Sequence, residues 1–355
     1  MLKNSFQFTG FAALAVGALV LTGCTAEVAE VETLDASVIT EAETITLSYA
    51  FFAPAQSFPA VQMQEWADQI SERTDGQVEV ELFVGGTLLS SGDIFDGVTA
   101  GIVDIGLDSP AYDTGRFPFS SVINIPIGME SAETSSRTFL QLLEEYEPEE
   151  FAGFEIITAF TTEASYLQTK TPIVSESDIS GTSLRAAGAN VPLLGELGAA
   201  AIGMSMAEVS EALNTGVIQG YISSREVTKD FGLAESISYI TDYPFGTSNS
   251  FVAVMDKARF DSLPENVKAV IGELREEMML FASQGHDDSI QAAIDFSRDE
   301  HGVEVLEVSG DTRTMWDRIL QGQADQWLKK NADSYFDAEA VLARMRELAT
   351  ENAAR

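Results

Sequence analysis

Arg185 is the only cation in DISGTSLRAAGANVPLLGELGAAAIGMSMAEVSEALNTGVIQGY (residues 178–221), where a turn-rich run of small, uncharged residues leads into a helix. A guanidinium is planar and permanently charged, and it forks onto both oxygens of a carboxylate in a way that lysine cannot reproduce. Taken alone, Arg185 has two readings: a surface ion pair contributing about 0–1 kcal/mol, or the anchor of an anionic ligand. Other reactive residue types are sparse. The two histidines, His286 and His301, fall in or just after a long helical pattern, and Cys24 is the only cysteine. Neither a Cys/His zinc set nor a Ser-His triad can be assembled from them. Gly85 and Gly86 lack the following Lys-Ser/Thr of a phosphate-binding loop. The 56 Asp and Glu residues are too many for two to stand out as a glycosidase pair. The residues point away from an enzyme and require no cofactor or metal.

The elements that must position Arg185 belong to a chain of 355 residues, beyond the size at which a single hydrophobic core stops growing, so two lobes are expected. With 20 Lys+Arg against 56 Asp+Glu the formal net charge is -36. Such a chain repels nucleic acid and anionic lipid surfaces, which bind through basic patches, and the acidity reads as a solvated surface.

The amino terminus and Lys3 precede an apolar run from Phe11 to Leu21, then Leu21-Thr22-Gly23-Cys24. The run is too short to span a bilayer as a mature helix and reads as an export signal, residues 1–23. Leu-x-Gly-Cys resembles the bacterial lipobox, which implies cleavage before Cys24 and acylation of its sulfur. Cys24 has no second cysteine with which to form an intramolecular disulfide. Residues 24–43 are acidic and lack aromatics, as expected of a flexible spacer that tethers a folded body to a membrane.

From residue 44 onward ITLSYAFF reads as a strand, residues 58–74 as an amphipathic helix stopped by Thr74-Asp75-Gly76, and VEVELFVGG as a second strand with a glycine turn. Ser91-Gly92-Asp93 is expected to cap a helix through Ala100, with Gly101 ending it and IVDIGLDS forming a third strand. This alternation predicts an α/β fold with a parallel or mixed sheet. DIFDGVTAGIVDIG (residues 93–106) aligns without a gap to EVSEALNTGVIQGY (residues 208–221), each reading as helix, C-cap glycine and strand. The echo suggests two similar lobes. TSNSFVAVMD reads as a β-rich crossing segment, residues 264–300 as a long helix, GVEVLEVS as a late strand, and residues 312–332 and 338–351 as helices. The expected division is a first lobe at 44–162 with parts of 251–310, and a second lobe at 163–250 with C-terminal helices in 311–355.

In ordered succession, ERTDGQVEVELFVGGTLLSSGDIFDGVTAGIVDIG, TKTPIVSESDISGTSLR, LGELGAAAIGMSMAEVSEALNTGVIQGY and FDSLPENVKAVI resemble segments of the substrate-binding proteins of TRAP (tripartite ATP-independent periplasmic) transporters. The likeness runs over roughly residues 44–300. It implies a two-lobed periplasmic binding protein fold with crossing hinge strands and a long bracing helix, closing on a small organic acid. It also implies delivery of that acid to the TRAP membrane permease subunits by a periplasmic, lipid-anchored protein, expected as a monomer. In the family, the arginine at the Arg185 position pairs with the ligand carboxylate, and the register of Pro172, Ile173, Asp178 and Gly181 around it favours that role.

Two departures stand out. Many members carry a further arginine just before the Pro-Ile segment and an Asp-Gly followed by Asn near the second-lobe strand end. Here those places hold Ala164, Ser165 and Tyr166, and Gln219-Gly220-Tyr221-Ile222-Ser223-Ser224-Arg225. A C4-dicarboxylate or sialic acid is thereby disfavoured against a monocarboxylate or aromatic acid. Phe52, Tyr112, Tyr166, Phe245 and Phe117 are the candidate flat walls. Ser109, Ser223 and Asn249, at expected strand ends, are candidate hydrogen-bonding residues, and Arg225 is a candidate second cation or a surface residue. An alternative in the same fold is a ligand-sensing lipoprotein that presents its closed form to a signalling receptor.

Overall fold

The computed structural model describes residues 44–113, 115–129 and 131–354. The signal segment, Cys24 and the acidic spacer lie outside the described residues. Eleven strands follow in chain order: β1 (Ile45–Phe51), β2 (Val78–Phe83), β3 (Ile105–Asp108), β4 (Phe154–Thr161), β5 (Tyr166–Thr169), β6 (Ser183–Ala186), β7 (Ala200–Gly203), β8 (Gly220–Ser223), β9 (Tyr239–Asp242), β10 (Ser250–Asp256) and β11 (Glu304–Glu307). They form two sheets, one ordered β2-β1-β3-β10-β4 and the other, from its free edge, β7-β6-β8-β5-β9-β11.

The two sheets share one plan. In the first, β1 runs parallel to β2 and β3, while β10 runs antiparallel to β3 and β4. In the second, β6 runs parallel to β7 and β8, while β5 runs antiparallel to β8 and β9. The aligned sequence segments fold in register: helices Ile94–Thr99 and Val209–Asn214, then Gly101 and Gly216, then β3 and β8. Both glycines take left-handed backbone, φ 68° and 75°, which favours a residue without Cβ directly after a helix. Two extended segments cross between the sheets, from β4 to β5 and from β9 back to β10, and the long helix later makes a third crossing, from β10 to β11. The two extended segments hydrogen-bond to each other: the Thr162 N–H donates to the Asn249 carbonyl at 3.0 Å and the Ser248 N–H to the Glu163 carbonyl at 2.9 Å.

Local sequence explains the framing helices. Helix Phe58–Arg73 has Pro59 in its first turn and buries Met63, Trp66 and Ile70 at three- and four-residue spacing. The Thr74 hydroxyl donates to the Ile70 carbonyl at 2.7 Å at its end. Helix Glu265–His301 is 37 residues long, roughly 55 Å at 1.5 Å per residue. It packs first on Phe58–Arg73, Ala132–Tyr146 and β4, then on Val227–Asp230 of the second lobe. One element thereby braces both lobes. Among the described residues no helix is long and apolar enough to cross a membrane.

Arg185 lies on a strand, β6, between β7 and β8, where Leu184, Arg185 and Ala186 are all buried, in keeping with the weak likeness of TSLRAAG to the strand VEVELFVGG. Two local expectations are corrected. The late strand β11 joins the second sheet beside β9, because the long helix ends on that lobe and delivers the chain to its edge. The C-terminal helices divide: Gly310–Lys330 buries Trp316 in the second-lobe core, whereas Ala338–Ala353 lies along Ala132–Tyr146 of the first. Arg344 fixes the latter contact by forking onto Glu145 at 2.8 Å through each nitrogen.

Gly220, at the start of β8, faces β5 so closely that a Cβ would sit 2.6 Å from the Gln168 carbonyl oxygen and 2.9 Å from the Thr169 Cα. Neither backbone atom can move aside without shifting β5 against β8, the strand that neighbours β6 and Arg185. Gly220→Ala should destabilise the protein by about 1–3 kcal/mol in urea unfolding; an unchanged midpoint would show that the sheet relaxes freely here.

Candidate functional site

Strand β6, one in from the β7 edge, puts Arg185 on the wall of a cavity between the lobes, with only 2 % of its surface exposed. Its Nε donates to the Met204 carbonyl at 2.9 Å and its Nη1 to the Ile222 carbonyl at 3.5 Å, while Nη2 has no protein partner. Among the described residues it forms no ion pair. Burial pushes its pKa down, and the nearby Tyr112, Tyr221 and Glu208 act in the opposite sense. A charge removed from water without a counter-charge is costly, and backbone carbonyls compensate only in part.

Aromatic rings wall the cavity from the first-lobe side. Phe52 stacks on Phe251 with centres 6.5 Å apart at 27°, Tyr112 meets Phe52 edge-on at 5.7 Å, and Phe58 lies nearby. The Tyr112 ring centre is 6.0 Å from the Arg185 guanidinium carbon. Asn249 is fixed at the lip: its Oδ1 accepts from the Ser109 hydroxyl at 2.5 Å and its Nδ2 donates to the Tyr112 oxygen at 3.3 Å. The cavity is narrow, about 30 Å³ on the measure by which one water molecule needs about 10–15 Å³.

The cavity wall also carries two buried acids, Glu226 and Asp230, from the chain that follows β8. Glu226 Oε1 accepts from the Ser224 hydroxyl at 2.7 Å, and its Oε2 lies 3.3 Å from Nε2 of His286, on the bracing helix. Burial acts to lower the His286 pKa, but the nearby carboxylates of Glu226, Asp287 and Glu163 outweigh it and raise it to about 9. Burial and the repulsion of Glu226 push Asp230 up to about 7.

Of the residues expected at a site, the fold brings Arg185, Phe52, Tyr112, Ser223 and Asn249 to the cavity wall, with Ser109 one hydrogen bond behind it. Arg225, Tyr166 and Phe245 lie elsewhere. Arg225 forks onto Glu163, Nε to Oε1 at 3.0 Å and Nη2 to Oε2 at 2.7 Å, and lies 4.0 Å over the Tyr166 ring, so these two candidates satisfy each other beside the crossing segments. Phe245 packs on Tyr243 and Trp316 in the second-lobe core, and Phe117 on Phe95 and Phe151. Phe58, Met206, Glu226, Asp230 and Ser248 line the cavity without having been singled out. Glu226 and Asp230 stand four residues apart, one helical face, but that spacing carries no signal among 56 acids. Among the described residues no cluster of His, Cys, Asp and Glu could hold a metal ion.

Comparison with known proteins places this geometry. Residues 50–331 match the family model described as bacterial extracellular solute-binding protein, family 7. The chain is similar to the ectoine/5-hydroxyectoine-binding periplasmic protein UehA of Ruegeria pomeroyi, 28% identical over 236 residues, 63% of this chain and 67% of that protein. Its fold is similar to a TRAP periplasmic solute-binding protein from Desulfovibrio salexigens, solved as an open complex, with 34% identity, TM-score 0.75, and 86% and 96% of the two chains covered. It is also similar to a marine metagenome TRAP solute-binding protein specific for aromatic acid ligands, solved with 3-hydroxybenzoate, with 24% identity, TM-score 0.82, and 87% and 99% covered.

The buried acids make stability depend on pH. Asp230 has a folded pKa near 7, above its ordinary 3.8, as does Asp108, raised by burial and by Asp93. Each contribution is complete below about pH 4 and lost as pH rises through 7; that of His286 is complete below 6.5 and lost through about 9. Thermal melts of the ligand-free protein should show Tm falling from pH 5 to 9, with each group adding at most about 1.4 kcal/mol per pH unit between its unfolded and folded pKa. Asp230→Asn should flatten the slope between about pH 5 and 7, and an identical slope in that variant would place Asp230 at an ordinary pKa.

Proposed function

The chain belongs to the bacterial extracellular solute-binding protein family 7, and from that premise we propose that this TRAP solute-binding protein captures a monocarboxylate or aromatic acid on Arg185 by closure of its lobes. It then hands the acid to TRAP permease subunits. Like its family, it binds a solute for transport and is not an enzyme. The observation that carries the reading is the Arg185 guanidinium, buried in the inter-lobe cavity with one N–H edge unmatched by the protein. A carboxylate supplies the missing counter-charge and accepts from that edge, in a charge-assisted pair stronger than a neutral one.

The rest of the cavity argues for one carboxylate. Arg225, the other cation near the crossing segments, is committed to Glu163. A second ligand carboxylate would face Glu226 or Asp230 and meet repulsion in a poorly solvated space. Phe52, Phe58 and Phe251 offer faces for a flat or apolar body. The aromatic-acid specificity of the marine relative is consistent with such a wall. Closure requires no nucleotide, because a ligand that touches Arg185 from one lobe and the aromatic wall from the other favours the closed state by differential affinity. We further propose that the protein is a monomeric, periplasmic lipoprotein held to a membrane through Cys24.

In a thermal-shift screen, monocarboxylates and aromatic acids should raise Tm. Arg185→Ala should weaken the best of them by at least about 100-fold, about 2.8 kcal/mol, with little change in the ligand-free Tm. Unchanged affinity in that variant, or stabilisation by dicarboxylates alone, would overturn the carboxylate reading. Metabolic labelling with a fatty-acid analogue should tag the wild-type chain and leave Cys24→Ala untagged; equal labelling would remove the anchor.

A further inference from the structure

The cavity that holds Arg185 is not otherwise apolar. Glu226 is 3 % exposed and Asp230 7 % exposed, and both line the same cavity as the arginine. The Glu226 carboxylate takes one hydrogen bond, from Ser224, and its Oε2 accepts none, with His286 Nε2 3.3 Å away as an ion-pair contact. A carboxylate offers about four lone-pair sites, and leaving buried ones unmatched costs free energy.

Of the hydroxyls on the cavity wall, Ser57 donates to the Pro54 carbonyl, Thr162 to the Glu163 carbonyl, Ser248 to the Ser223 oxygen and Ser224 to Glu226 itself, while Ser223 and Tyr112 serve as acceptors. Phe58, Phe231 and Val227 offer no side-chain donor, and the Phe58 backbone N–H serves Asp230. The charges that act on Asp230 are Glu226, His286 and Lys229, and the Lys229 side chain belongs to an exposed residue. Pairing charges across the cavity leaves one remainder. A ligand carboxylate neutralises Arg185 and His286 offsets Glu226, so Asp230 must either hold a proton or meet a donor.

We propose that the ligand carries, besides the carboxylate that pairs with Arg185, an O–H or N–H donor that seats against Glu226 and Asp230. This rests on the carboxylate reading and names the ligand more narrowly: an acid that also bears a hydroxyl or a nitrogen, not a bare hydrocarbon. The donor matches Glu226 Oε2, which the protein leaves without a hydrogen bond, and a plain acid cannot.

The test uses shape-matched probes on the folded protein: benzoate against 3-hydroxybenzoate for a neutral O–H, and cyclohexanecarboxylate against piperidine-3-carboxylate for a cationic N–H. By calorimetry, at least one donor-bearing acid should bind at least tenfold more tightly than its partner, and the pair that shows the preference identifies the donor. In Asp230→Leu or Glu226→Met, whichever keeps a wild-type circular dichroism spectrum, that preference should shrink below threefold. If neither variant folds, the wild-type ratios alone decide. Both members of each pair binding within threefold, while Arg185→Ala abolishes both, would overturn this inference and leave the carboxylate reading intact. A preference that persists undiminished in both folded variants would also overturn it. Binding of none of the four acids would overturn the carboxylate reading and this inference together.

Discussion

A permanent positive charge in the middle of a sheet is a constraint that the surrounding structure must answer. Taking an ion out of water costs several kcal/mol even after relaxation, and Arg185 is 2 % exposed. The protein answers with carbonyls from two places, Met204 and Ile222, which orient the guanidinium while leaving Nη2 open. Backbone acceptors are suited to this because they fix geometry without neutralising the charge. A side-chain carboxylate in their place would close the site against an anion. The cluster of Arg225, Glu163 and Tyr166 is the contrasting case, a cation whose charge is met within the protein and which contributes rigidity beside the hinge.

The fold places the two halves of the site on opposite lobes. Arg185, Ser223, Glu226 and Asp230 come with the second sheet, Phe52, Phe58 and Tyr112 with the first, and Asn249 with a crossing segment. Gln56, after β1, already reaches across to the Asp230 carbonyl at 2.8 Å. Such contacts exist only when the lobes are together, so whatever fills the cavity biases the same equilibrium that they do. His286 extends that coupling to the bracing helix: it stands against Glu226 and meets the Phe58 ring at 4.7 Å, touching both sides of the site from a third element.

The shared plan of the two sheets explains why a site forms between them. Corresponding strands β3 and β8 end toward the cavity: Ser109, just past β3, holds Asn249 of its wall, and Ser223 and Ser224, at the end of β8, line it. Ligands of open α/β sheets gather at the carboxyl ends of parallel strands, where loops can be polar without disturbing the core. Two sheets that present those ends to each other make a closed space with hydrogen-bonding groups at its rim and aromatic packing behind.

Local pattern was enough to read much of this chain. The repeat of residues 93–106 in 208–221 was visible as text and returns as two equal helix-glycine-strand units, because helix periodicity and a left-handed glycine are properties of a few neighbouring residues. The long helix, the crossing segments and the oddness of one arginine were legible for the same reason. Which partner each side chain took was not. Arg225 meets a glutamate 62 residues away, Glu226 meets a histidine on the bracing helix, and the last helix returns to the first lobe. A sequence with 56 acids offers each cation many partners of equal merit. Only the tertiary structure, by excluding water from some of those pairings and distance from others, decided that Arg225 would be neutralised and Arg185 would not.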